Sequence, residues 1–71
     1  MNKELAEEFI SNQGLLTQLG ELITDEIIND DEPFDKIAHN LLETYLEHPD
    51  IVDKVMISIC GWSMESLMNK L

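Results

Sequence analysis

Apolar residues recur along this chain at steps of three and four, the repeat of one face of an α-helix, and no stretch alternates with period two. The first block runs from about Lys3 to Asn12, with Leu5, Phe9 and Ile10 apolar. The second, Leu15 to Asn29, is the clearest: Leu15, Leu16, Leu19, Leu22, Ile23, Ile27 and Ile28 line one side. Thr17, Gln18, Glu21, Thr24, Asp25 and Glu26 lie mostly opposite. A third block opens at Pro33 and repeats through Phe34, Ile37, Ala38, Leu41, Leu42, Tyr45 and Leu46. The fourth opens at Pro49 and carries Val52, Val55, Met56, Ile59 and Trp62.

The breaks between blocks have local causes. Proline suits the first turn of a helix, and the residue before it avoids the α region, so His48-Pro49 both ends the third helix and begins the fourth. Asn12-Gln13-Gly14 reads as a helix stop, with Gly14 suited to a left-handed position after the last turn. Leu5, Phe9, Leu16, Leu19 and Ile23 nevertheless keep one phase across Gly14, so an uninterrupted helix is the alternative. Beyond Gly61 the phase jumps: Met64, Leu67, Met68 and Leu71 centre about 130° from the earlier stripe at 100° per residue. One straight helix cannot serve both stripes, which predicts a break near Gly61 and a short fifth helix capped by Ser63.

The pattern predicts an all-α compact bundle of four to five short helices, with residues 1–71 forming a single small acidic domain. Leu16, Leu19, Ile23, Ile27, Phe34, Ile37, Leu41, Tyr45, Val52, Val55 and Ile59 are the expected core. A core this small is marginal by itself, which makes association with a second copy a reasonable remedy.

Charge changes the picture most. Fifteen acids face four bases, a formal net charge of −11, and from Glu4 to Asp35 ten acids meet no base. Affinity for phosphate comes from Lys and Arg, so direct binding to nucleic acid is opposed, as is binding to anionic membranes. The 44% apolar content, periodically placed, argues against the disorder that such charge can produce. The N-terminal MNKELAEEF has no apolar signal-peptide region, and the longest apolar runs are two or three residues. With a lone Cys60 and no internal disulfide to form, the expected setting is cytoplasmic, in the protein's own cell or in a host cell.

Candidate chemistry is sparse. In ITDEIINDDEPFDK, Ile23 to Lys36, six of fourteen residues are acidic. A calcium loop counted from Asp25 places Ile27, Asp30 and Lys36 where a ligand, a glycine and a glutamate are required, so it fails three times. His39 and Glu43, four apart, read as a surface pair, because no cysteine or further histidine completes a metal set. Cys60 sits on an apolar helix and reads as a structural thiol. Ser63 and Ser66 lack a nucleophile-elbow context, and no glycine-rich phosphate loop exists. No catalytic residue, metal or cofactor is expected.

The acids themselves are the remaining feature. Asp30, Asp31 and Glu32 can cap the third helix and meet its dipole favourably. Asp25 and Glu26 sit at the unfavourable end of the second helix, and capping does not account for them. Glu21 and Asp25 are spaced by four, a rise of about 6 Å, and Glu43 and Glu47 repeat that spacing, with Asp50 and Asp53 following beyond Pro49. Like charges at this spacing weaken a helix. The row is either plain solvation or a surface for a positively charged partner, and the acidic-face candidates are Glu21, Asp25, Glu26, Asp30, Asp31, Glu43 and Glu47.

The C-terminal stripe offers a second candidate. Met64, Leu67, Met68 and Leu71 either close the core or, with Trp62 as an anchor, pair with a second copy or a partner's groove. In general profile the chain resembles small acidic helical inhibitors, often virus-encoded, that mimic DNA or RNA and occupy a host protein's nucleic-acid-binding surface. It also resembles plain helical interaction modules. No motif narrows the resemblance further. The expected partner is a basic protein surface, with a homodimer as a further expectation.

Overall fold

The computed structural model describes residues 3–26 and 32–71. Among these, the chain forms five helices and no strand: α1 (Lys3–Ile10), α2 (Gln13–Glu26), α3 (Phe34–Glu47), α4 (Pro49–Cys60) and α5 (Met64–Asn69). The all-α bundle read from periodicity is the observed class. Ile27, Ile28, Asp30 and Asp31, which carried expectations for core, capping and surface, lie outside the described residues.

The first two helices are separate. The Ser11 hydroxyl donates to the Glu8 carbonyl at 2.9 Å, closing α1. Asn12 then caps α2, its Oδ1 accepting the Leu15 N–H at 3.1 Å. The break thus falls at Ser11 and Asn12. Gly14 lies within the first turn of α2 and is not left-handed, since Gly61 is the one described residue with positive φ. Asparagine's side chain supplied the cap, so no left-handed glycine was required.

The other two corners follow their local chemistry. His48 (φ −137°, ψ 66°) stands outside the α region before Pro49. It ends α3 through its N–H to the Thr44 carbonyl at 2.8 Å and starts α4 by accepting the Val52 N–H at 3.1 Å. Gly61 adopts φ 81°, a left-handed cap that L side chains avoid, and its N–H reaches the Ile57 carbonyl at 2.9 Å. Ser63 caps α5 by accepting the Ser66 N–H at 3.2 Å. Asp53 of α4 accepts the Met64 N–H at 3.0 Å, which fixes α5 against α4 from its first residue.

The core joins all five helices: Ala6 and Phe9 from α1, Leu16, Leu19 and Ile23 from α2, Ile37, Ala38, Leu42 and Tyr45 from α3, Val52 and Met56 from α4, and Met64, Leu67 and Met68 from α5. No polar or charged side chain among the described residues is buried with them. Gly20 lets α2 and the start of α3 meet: a Cβ there would lie 1.9 Å from the Phe34 carbonyl oxygen.

Three expected core residues are instead exposed: Phe34 at 39%, Val55 at 49% and Ile59 at 54%. Leu41 is only partly buried. In α3 the buried residues are Ile37, Ala38, Leu42 and Tyr45, and Phe34, the first residue of the helix, contributes backbone to the α2 contact while its side chain is partly exposed. In α4 the inward face is Val52 and Met56, with Cys60 packed partly against it. On α4, Val55 and Ile59 flank the inward face, so periodicity there places the stripe only to within about one residue, or 100°. On α3, Phe34 and Leu41 fall between Ile37 and Tyr45 in angle, so phase does not account for their exposure.

Candidate acidic protein-binding surface

Glu21, Asp25, Glu26, Glu43 and Glu47 are all exposed. Their positions follow from which side of each helix is buried. On α2, Leu16, Leu19, Gly20 and Ile23 face inward, and at 100° per residue Glu21 and Asp25 fall on the opposite side, one turn apart. Glu26 falls about 140° from Glu21 and within about 20° of Leu19 in angle, so it is not part of that row and is exposed at the C-terminal end of the helix instead of sharing the outward side with Glu21 and Asp25. On α3, Ile37, Ala38, Leu42 and Tyr45 face inward, and Glu43 and Glu47 form a second row on the outer side with Lys36 two to three turns ahead. The acids thus form two rows, each on the side of its helix away from the core, on two helices that pack against each other.

These acids differ in what surrounds them. Glu43 pairs with His39 at 2.5 Å, the surface pair expected from their spacing. Elsewhere, Lys3 and Glu7 of α1 approach to 4.0 Å with both side chains mostly exposed. Glu21, Asp25, Glu26 and Glu47 have no base within ion-pair distance among the described residues. Neither α2 nor α3 has a basic residue in its last turn, where one would offset the dipole. The arrangement therefore holds uncompensated negative charge at the cost of local helix stability.

Other acids are used inside the fold. Pro33 is the N-cap of α3 and has no side chain that can cap. Asp35 accepts the Lys36 N–H at 2.9 Å and a Gln13 side-chain N–H at 3.2 Å, so it serves the helix start and its link to α2. Asp53, read from sequence as continuing the acidic row, is committed to the Met64 N–H and is not part of an open face.

The apolar stripe expected as an alternative interface is divided. Met64, Leu67 and Met68 are 0%, 0% and 2% exposed and complete the core, so they present no surface. The physical reason is the sharp turn at Gly61, which folds α5 back onto the bundle. Trp62 and Leu71 stay 40% and 48% exposed. Lys70 Nζ stands 3.5 Å above the Trp62 ring centroid, a cation–π contact that links the segments flanking the two ends of α5. Cys60 is part-buried and donates to the Met56 carbonyl at 3.2 Å, in keeping with a structural thiol. Among the described residues, no group of three or more His, Cys, Asp or Glu side chains could hold a metal, and no helix is long and apolar enough to cross a membrane.

Comparison with family models, curated proteins and solved structures finds no match to this chain.

Sequence reasoning missed one feature of the surface. Ile51, Val55 and Ile59 form an exposed row on α4, although the periodicity predicts Val55 and Ile59 in the core. The signal was present: seven of the twelve residues of α4 are apolar aliphatic, Met or Cys, more than one inward face can use.

Proposed function

We propose that this chain is a non-catalytic regulator or inhibitor whose acidic helices occupy a basic surface on a nucleic-acid-binding protein, standing in for the phosphates that surface normally meets. The observation carrying this reading is the exposed, unpaired state of Glu21, Asp25, Glu26 and Glu47 on a chain of formal charge −11. An ordinary solvated surface mixes the two signs of charge. On α2 the acids stand with no base at all, and the spacing within each row costs stability instead of adding it. A basic partner would relieve that repulsion, and the long-range field would speed the encounter. A virus-encoded inhibitor acting inside a host cell is one setting such a surface suits. Burial of Met64, Leu67 and Met68 weighs against the alternative of a module acting through the C-terminal stripe.

The test is affinity capture from source or host lysate at low salt, with the parent chain beside a Glu21→Lys/Asp25→Lys double variant. Expected is recovery of a basic nucleic-acid-binding protein by the parent, its release by added salt and by double-stranded DNA or RNA, and much weaker recovery by the variant. Equal recovery by both chains would show that the acidic face is solvation only.

A further inference from the structure

α4 is apolar around more of its circumference than the core requires. Val52 and Met56 face inward, while Ile51, Val55 and Ile59 retain 61%, 49% and 54% of their surface. Steps of four residues set these three in one row, spanning about 12 Å along the helix. An isolated exposed isoleucine is ordinary. Three branched aliphatics in register on one helix are a patch.

We propose that this row is the contact through which two copies of the chain associate, α4 against α4, antiparallel about a two-fold axis beside Val55. Two observations select a second copy as the occupant. The first is the symmetry of the row itself. Ile51 and Ile59 flank Val55 at equal distances of four residues, so antiparallel pairing sets Ile51 of one copy against Ile59 of the other, and Val55 against Val55. A two-fold interface demands this self-complementarity.

The second is the placement of charge. Residues 1–48 hold twelve acids and two lysines, whereas residues 49–71 hold three acids and two lysines. Among the described residues, every large exposed apolar side chain except Phe34 lies in the second group. Two like-charged copies can approach through this near-neutral side while the rows on α2 and α3 remain apart, and pairing removes aliphatic surface from water without burying charge. A basic partner, by contrast, would be drawn to the strongly negative helices.

The dimer is a weak addition to a complete fold. The accessible surface of the chain, 4373 Å², is close to the roughly 4,500 Å² of a folded monomer this size. One helix face also falls well short of the ~800 Å² per partner of a standard interface. This inference does not depend on the acidic face, and salt separates the two. Screening should strengthen pairing between like-charged copies and weaken capture of a basic partner.

Sedimentation equilibrium from micromolar to millimolar protein, at low and moderate salt, tests the proposal. Expected is a monomer–dimer equilibrium that tightens with salt. Val55→Asp should be monomeric throughout, and Ile57→Asp, on another side of α4, should dimerise like the parent. Circular dichroism should show that both variants keep their helix content. As a second readout that introduces no charge, Val55→Cys in a Cys60→Ser background should form a disulfide-linked dimer on mild oxidation, and Ile57→Cys in the same background should not. A parent chain that stays monomeric, equal effects at positions 55 and 57, or association that runs past two copies would each overturn the proposal.

Discussion

In α2 and α3 the acids mark which side of the helix stays in water, and the buried side follows by elimination; α4 has no such marker. Opposite the inward residues of α2 stand Glu21 and Asp25, and opposite those of α3 stand Glu43 and Glu47. On α4 the polar residues are Asp50, Asp53, Lys54 and Ser58, scattered among apolar ones, and Asp53 is drawn toward α5. Burial there is decided by what α3 and α5 offer as neighbours, not by the helix's own pattern. Charge that opposes stability can thus still specify a fold, because a helix that places acids on one side leaves only the other to bury.

Substitutions at adjacent positions expose this difference most sharply. Leu42→Ala, at a fully buried site, should cost about 2–5 kcal/mol, which for a domain this small approaches the whole stability. Leu41→Ala, one position away and partly exposed, should cost clearly less in the same urea titration. On α4 the corresponding pair is Met56→Ala against Val55→Ala, and a larger cost at Val55 would mean that α4 is rotated from the position described here. Next in size is Gly20→Ala. The added Cβ meets the Phe34 backbone, which cannot swing away as a side chain would. A loss of about 1–3 kcal/mol is expected, although alanine is intrinsically the better helix former.

Smaller effects probe the α4–α5 side. Ser63→Ala removes the cap of α5 and should cost about 0.5–2 kcal/mol. Asp53→Ala removes the acceptor for the Met64 N–H and should act in the same direction. The smallest expected change is at the acids. Glu21→Lys/Asp25→Lys should leave the helical circular-dichroism signal intact and hold or raise stability by a few tenths of a kcal/mol. Added salt at constant pH should raise the melting temperature of the parent by about 1–3 °C if screening recovers a few tenths of a kcal/mol. It should raise that of the double variant less. A melting temperature flat in salt would mean that the acids are internally compensated.

Much of this fold was legible in the sequence, for identifiable reasons. Pro49 and Gly61 each impose a backbone conformation whatever their surroundings, so the α3–α4 and α4–α5 corners could be placed. The 130° phase change after Gly61 required α5 to be a separate helix, and Ser63 is its observed cap. What was not legible depends on neighbours. The role of Gly20 exists only because Phe34 passes beside it, and the exposure of Val55 and Ile59 reflects the absence of a sixth element over that side of α4 among the described residues. Asn12 shows a third kind of limit: it and Gly14 are both plausible punctuation, and only a side-chain hydrogen bond distinguishes them. Of the candidate acids, Glu21, Asp25 and Glu26 stand exposed on α2 and Glu43 and Glu47 on α3, while Asp30 and Asp31 fall outside the described residues.

The packing of α5 against α1, α2 and α4 bears on how the molecule forms, as distinct from how stable it is. Neighbours such as α2 and α3 close over a short stretch of chain, whereas the contact between α1 and α5 joins positions more than fifty residues apart. Short loops close at lower entropic cost, and a six-residue helix has almost no persistence of its own. Docking of α5 is therefore expected late, after the folding barrier has been crossed. Stopped-flow measurements on Leu67→Ala should then show its destabilisation mainly as faster unfolding, with the refolding rate little changed, whereas Leu19→Ala should slow refolding. The same three buried side chains that complete the core would thus set how long the folded state lasts, and contribute little to how quickly it is reached.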